Sequence, residues 1–165
     1  MKETKPMEVA RRPAIDSDGE FVRETHHLAY RDVIVRVYGR WDEQVQDEYF
    51  MNWVPVAFDI VMCEGQPCGY MRVEVQPQNI HIEELVIHPH FQNQGIGSFL
   101  LRQVMKQAEE RLVPVRLRTH HSNRALRLYQ RFGFEEFDRT DTHTLLQWKP
   151  PSDNRGPFQL KRNNV

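Results

Sequence analysis

Residues Gln92-Asn93-Gln94-Gly95-Ile96-Gly97 stand between an apolar run, Ile80-His81-Ile82-Glu83-Glu84-Leu85-Val86-Ile87, and a strongly amphipathic one. His88-Pro89 ends the first run, because proline has no amide hydrogen to give a strand ladder. After the turn, Ile96, Leu100, Val104 and Ala108, with Leu101 and Met105 beside them, recur at the spacing of one buried helical stripe. Glycines at 95 and 97 let backbone approach a ligand closely, and the first turn of a helix presents unpaired N–H groups. A strand, a glycine turn and a helix start together predict a phosphate site.

Three kinds of phosphate binder use such a turn. A nucleotide P-loop needs Gly-Lys-Ser or Gly-Lys-Thr, and neither occurs. A dinucleotide fingerprint needs a small residue where Leu100 stands, and an acidic residue well beyond Glu109 and Glu110, which fall inside the helix. The remaining reading is the diphosphate of coenzyme A. The turn resembles the signature of the GNAT acetyltransferase superfamily: Gln or Arg, two variable residues, Gly, any residue, then Gly or Ala. Gln92, Gly95 and Gly97 match it.

A second block lies downstream. Val115, Leu117 and Thr119 alternate as in a strand, and Ser122 is an expected N-cap for a helix. Ala125, Leu128 and Phe132 line one face of that helix, and Gly133 sits where a left-handed C-cap belongs. This block is also similar to the superfamily, whose members carry Asn, Ala, Tyr and a closing Gly-Phe along this helix. Asn123, Ala125, Tyr129, Gly133 and Phe134 stand in those places.

The composition agrees with one ordinary globular domain. The chain has 165 residues, 39% hydrophobic and 27% charged, with a net charge of −1 that leaves no basic footprint for nucleic acid. No apolar run is long enough to span a bilayer, and Met1 to Arg12 lacks the apolar centre of a signal peptide, so a cytoplasmic setting is expected. Cys63 and Cys68 flank Glu64-Gly65-Gln66-Pro67, a hairpin turn between Val56–Met62 and Gly69–Val75, and are expected to be reduced thiols. His88 with His90, and His120 with His121, lack the further partners a metal site needs, so no metal is expected.

A first strand is expected from Glu8 to Ala14, with Asp16-Ser17-Asp18 capping a helix from about Glu20 to Tyr38. Phe21, Leu28 and Val35 would share one side of it, and Trp41, Val45 and Tyr49 suggest a second, shorter helix. Phe134–Asp138 and His143–Trp148 would close the sheet as a last hairpin. The resemblance covers roughly Glu8 to Trp148. It implies a mixed α+β fold: a twisted, mostly antiparallel sheet of about seven strands flanked by helices. Residues 1–150 would be one acetyltransferase domain, and 151–165 a polar tail with Phe158 and Leu160 as candidate docking residues.

The strand before the glycine turn changes parity. Its apolar residues fall at Ile80 and Ile82, then at Leu85 and Ile87, which predicts a β-bulge near Glu83-Glu84. The resemblance implies that this fourth strand is splayed from its neighbour and pairs with a pantetheine arm through Leu85, Val86 and Ile87.

Acetyl transfer to an amine needs a held thioester, a neutral amine, a stabilised oxyanion and a proton for the departing thiolate. An alkylamine with a pKa near 10.4 is neutral in only roughly one molecule in a few thousand at pH 7, so a positioned base matters. On the resemblance, Glu84 or Glu83 is the candidate base, with His120 as rival. Tyr129 is the general acid, the backbone amide around Val86 the oxyanion donor, and Asn123 a coenzyme contact. Gln92, Asn93, Gln94, Gly95, Ile96, Gly97 and Ser98 would hold the diphosphate, and Arg116, Arg118, Arg124, Arg127 and Arg131 offer either cations for a further phosphate or a solvated face. The helices after the first strand would shape the acceptor site, with Arg23, His26, His27, Tyr30, Arg31, Trp41 and Asp42 in reach. Acetyl-CoA is thus the expected cosubstrate. A small-molecule amine or a peptide or protein amine is the expected acceptor, and a homodimer is the superfamily default. A non-catalytic acyl-CoA sensor is the alternative, needing neither base nor acid.

Overall fold

The computed structural model describes residues 7–152. The expected polar tail, with Phe158 and Leu160, lies outside the described residues from 153 onward. The strands are β1 (Val9–Pro13), β2 (Asp59–Cys63), β3 (Gln66–Val75), β4 (Ile80–Ile87), β5 (Val115–His120), β6 (Glu135–Arg139) and β7 (His143–Trp148). The α-helices are α1 (Gly19–Tyr38), α2 (Glu43–Glu48), α3 (Ile96–Arg111) and α4 (Ala125–Arg131). The strands form one sheet in the order β1-β2-β3-β4-β5-β7-β6. Only β4 and β5 are parallel. This is the mixed, mostly antiparallel architecture that the motifs imply.

Local chemistry explains the turns. Glu64 and Gly65, at φ 49° and 79°, make the left-handed pair that a tight hairpin requires between β2 and β3. The first of these strands begins at Asp59 rather than Val56, because Pro55–Ala57 winds into a 3-10 turn with proline at its start. Cys63 and Cys68 are both buried thiols, and Cys63 pairs with Gln66 rather than with Cys68.

The bulge falls on Glu83: Arg72 pairs with Glu84 and Val73 with Ile82, leaving Glu83 as the extra residue. Its effect is to keep Ile80, Ile82, Leu85 and Ile87 on the face packed by α3, and to turn Glu84 and Val86 to the face packed by α1. α3 buries Ile96, Leu100, Leu101, Val104 and Ala108 there, each large aliphatic contributing roughly 1.5–3 kcal/mol. Truncating Leu100 to alanine would open a cavity costing about 2–5 kcal/mol.

On the opposite face α1 departs from expectation. Its buried residues are Val22, Thr25 and Val33, with Ala29 partly buried between them, whereas Leu28 and Val35 are 58% and 40% exposed. The spacing of 22, 25, 29 and 33 is one helical stripe of small and β-branched residues, which lets the helix sit close to the sheet. Leu28 is left on the rim of a cleft described below.

The start of α4 also differs. Asn123, not Ser122, caps it: Oδ1 of Asn123 accepts from the Ala125 amide at 2.9 Å, while the Ser122 hydroxyl is buried without a partner. The helix begins one turn position later than a serine cap would need, so the asparagine side chain takes the local bond.

Candidate functional site

β4 and β5 pair only over Ile80–Ile82 and Val115–Leu117. Beyond the bulge the strands part, while β5 stays paired with β7 along its other edge as far as His120. The backbone groups of the upper half of β4 alternate in direction. His88 N–H bonds to the Cys68 carbonyl at 2.8 Å, so two residues back the paired Val86 and Tyr70 also exchange their bonds. The Val86 amide is therefore spent on β3, and the amides of Leu85 and Ile87 face the gap. Of the amides around Val86, those of Leu85 and Ile87 are thus the ones open to a ligand.

Gly69 permits the approach of β3 to this segment. A Cβ there would collide with the Val86 carbonyl oxygen and come within 3.1 Å of Ile87 Cα. The far end of β4 is fixed by Gln92, whose Nε2 donates to the Ile87 carbonyl at 2.9 Å. Asn93 at φ 62° and Gly95 at φ 83° then reverse the chain into α3. Gly95 has no side chain to cap the helix, and the first helical bond runs from Phe99 N to the Gly95 carbonyl at 3.0 Å. The amides of Ile96, Gly97 and Ser98 are therefore open to a ligand.

These elements enclose a cleft of about 640 Å³. Of the loop residues, Gln92, Asn93, Gly95, Ile96, Gly97 and Ser98 line it, as do Leu85, Val86, Ile87, Asn123 and Tyr129. Gln94 does not line it; its Nε2 donates to the His90 carbonyl at 3.2 Å and so shapes the turn from outside. Arg36, Arg124, Arg127 and Arg131 bring positive charge to the same cleft. Arg116 lies elsewhere, bonded to Gln147 at 2.8 Å and packed over Phe137.

A second cleft of about 410 Å³ opens between α1, α2 and the ends of β4, β5 and β7. Tyr30 and Asn123 line both clefts, so the two meet there. Glu84 stands in the second cleft. Burial pushes its carboxyl up to about 7, against a long hydrogen bond from the Tyr30 hydroxyl at 3.5 Å that favours the anion. Tyr129 is 6% exposed, and burial, then the charge of Glu84, pushes its phenol up to about 12. Behind Glu84 lies a polar layer. His26 meets the Tyr70 hydroxyl at 3.3 Å through Nδ1 and Gln46 Oε1 at 3.2 Å through Nε2, and burial holds its ring below the ordinary histidine value. Glu83, on the bulge, leans instead toward His81 at 3.6 Å.

The match to a family model describes residues 55–136 as an acetyltransferase (GNAT) domain. The chain belongs to the GNAT acetyltransferase family. Solved structures share the GNAT fold at low identity. The PaiA N-acetyltransferase of Thermoplasma acidophilum, crystallised with coenzyme A, is 15% identical, with 86% of this chain and 99% of that one aligned at a TM-score of 0.70. An acetyltransferase of Thermus thermophilus is 14% identical over 86% and 96% of the two chains, at 0.66. Naa50 of Arabidopsis thaliana, solved with the bisubstrate analogue CoA-Ac-MVNAL, is 15% identical over 86% and 98%, at 0.61. A comparison with curated proteins gives no match.

Within this GNAT domain, the residues expected around the acceptor divide. His26, Tyr30, Asp42 and His120 line the second cleft. His27 and Trp41 do not; they pack against each other at 5.2 Å, and His27 faces Asp47 at 3.0 Å. Arg23 is likewise tied to Asp47 at 2.7 Å, and Arg31 lies over the Trp41 ring. α1 is rotated so that His26 and Tyr30 share the inward side, and His27 turns to the α2 seam. Asp42 Oδ1 caps α2 by accepting from Val45 N at 3.3 Å. Sequence reasoning missed His143, which the β5–β7 register sets directly opposite His120. It also missed Tyr38, which meets the His120 ring at 6.1 Å.

Proposed function

We propose that the protein transfers the acetyl group of acetyl-CoA to a primary amine by direct attack, with no acyl-enzyme. The observation that carries this reading is the placement of Glu84, with its carboxyl near 7, beside the buried Tyr129 where the two clefts meet. The larger cleft suits coenzyme A. Open amides at Ile96, Gly97 and Ser98 fit a diphosphate, four arginines fit further phosphate charge, and the unpaired side of Leu85 and Ile87 fits the amides of a pantetheine arm. Residues 1–150 are the catalytic unit in this reading, and 151–165 a tail.

Acetyl-CoA supplies the thioester: the amine nitrogen bonds to the acetyl carbon, the C–S bond breaks, and the products are an amide and free coenzyme A. Glu84 accepts the proton that the amine gives up. A base near pH 7 is well matched to that task, and such catalysis is worth about 10²–10⁴ in rate. The amide of Leu85 or Ile87 donates to the acetyl oxygen as it gains charge. Tyr129 gives its phenolic proton to the departing sulfur. No described hydrogen bond engages that hydroxyl, which leaves it available. Neither Cys63 nor Cys68 lines either cleft, so an acyl-cysteine route has no nucleophile at the site.

The test is thiol release from acetyl-CoA across a panel of small amines and peptide N-termini. Peptides belong in it because Naa50, of similar fold, was solved with a peptide bisubstrate analogue. Release with any acceptor supports the enzyme. Tight acetyl-CoA binding without release from any would make the protein a sensor, and absence of both would end the coenzyme A reading.

A further inference from the structure

The acceptor cleft is electrostatically lopsided. Its carboxylates lie toward α2 and the β4 bulge, and most are engaged: Asp42 caps α2 and lies 3.9 Å from Arg40, and Glu83 faces His81. The β5–β7 wall is different. His120 pairs in register with His143, and Arg118 lies two residues before His120, so all three side chains project from one sheet face into the cleft. Among the described residues no carboxylate lies within ion-pair distance of Arg118.

The two imidazoles lie tilted by 35° to each other, with centroids 3.9 Å apart. His143 Nδ1 contacts the Thr142 hydroxyl at 2.8 Å, while His120 Nδ1 is buried with no partner. The groups around the pair are Arg118 on β5, His121 in the following loop, and Tyr38 on α1, and none is an anion. Burial first, then the charge of Arg118 and of neighbouring histidines, hold both rings below the ordinary histidine value. Two close-packed imidazole rings beside a guanidinium take up a proton only if an anion faces them. Among the described residues no group of three or more His, Cys, Asp or Glu side chains converges there.

We propose that the acceptor is a small amine that also carries an anionic group, a carboxylate or a phosphate, which Arg118, His120 and His143 hold while the amine reaches Glu84. This rests on the acetyl-transfer reading above and narrows its substrate class. A cleft of about 410 Å³ falls in the range of small-molecule sites. Arg118 supplies the permanent charge and the fork geometry that suits either anion, and the histidine pair adds charge only when that anion arrives. The cation also keeps a second positive charge out of this end, which orients the amine toward Glu84.

Thiol release is measured with the full chain and three acceptors of equal length: 5-aminopentanoate, its amide, and the matching aminoalkyl phosphate. The expected result is a kcat/KM for one anionic acceptor about tenfold or more above the amide. Preference for carboxylate over phosphate identifies the natural anion. Arg118→Gln is expected to bring that ratio close to one by raising KM for the anionic acceptor. As a readout independent of turnover, calorimetry of the N-acetylated anionic product at pH 7 in two buffers of different ionisation enthalpy is expected to reveal proton uptake. His143→Gln is expected to diminish it. An amide used as well as or better than both anions, or a ratio untouched by Arg118→Gln, overturns the proposal and leaves acetyl transfer standing. Failure of every amine to release thiol removes the transfer reading and this one with it.

Discussion

The Tyr30 hydroxyl on α1 donates to Oε2 of Glu84 on β4 across 3.5 Å, linking the helix that walls the acceptor cleft to the carboxylate inside it. Burial raises the Glu84 pKa and this bond opposes the rise. Tyr30→Phe therefore moves the acidic limb of the kcat/KM profile to higher pH, by roughly half a unit to one unit for a bond of this kind. A limb that stays in place, or moves to lower pH, shows that Tyr30 does not tune the base.

As the proposed base, Glu84 would couple activity to stability with opposite signs. Its carboxyl is at about 7 in the folded chain against 4.5 as a free group, so folding binds a proton between those values. The stabilisation from the neutral form is complete below 4.5 and lost as pH rises through about 7. Glu84→Gln keeps a neutral side chain at every pH. It is expected to gain on the order of 1–3 kcal/mol over the parent at pH 8, to match it near pH 4, and to lose most turnover. Denaturant melts at both pH values check this; a variant less stable than the parent at pH 8 contradicts it.

Tyr129→Phe removes the proton donor while keeping the ring that packs against Phe134 at 5.8 Å. Turnover is expected to fall by about 10²–10⁴ with acetyl-CoA affinity nearly unchanged. Steady-state rates beside calorimetric binding separate the two effects. Full activity across pH would leave Tyr129 as a core residue only.

Gly69→Ala places a methyl group against the Val86 carbonyl and the Ile87 backbone. Neither can give way, because both belong to the β3–β4 ladder. The variant is expected to lose about 1–3 kcal/mol of stability and, by displacing Leu85 and Ile87, to bind acetyl-CoA more weakly. Unaltered melting and affinity would mean that β3 has room the structure does not give it.

Much of the fold was legible along the chain. The parity change from Ile82 to Leu85 reports the bulge, Gly95 marks the left-handed entry to α3, and the Ile96-to-Ala108 stripe is the buried face. Glu84 was separable from Glu83 only once the bulged residue was known. Helix α1 was misread because it has apolar residues on several sides, and propensity does not say which side the sheet will take. Leu28 and Val35 lost to Val22, Ala29 and Val33, and with that rotation His27 and Trp41 left the acceptor cleft.

What the sequence determined by itself is the larger cleft: a glycine turn, a helix start and a bulged strand are written in consecutive residues, and short-range backbone geometry enforces them. What only the tertiary structure decided is the second cleft. His143 meets His120 through the register of two strands separated by a helix and another strand, and Tyr30 meets Glu84 through the rotation of a helix far away in the chain. Such pairings follow from how all the apolar faces pack at once, and no local stretch carries that information.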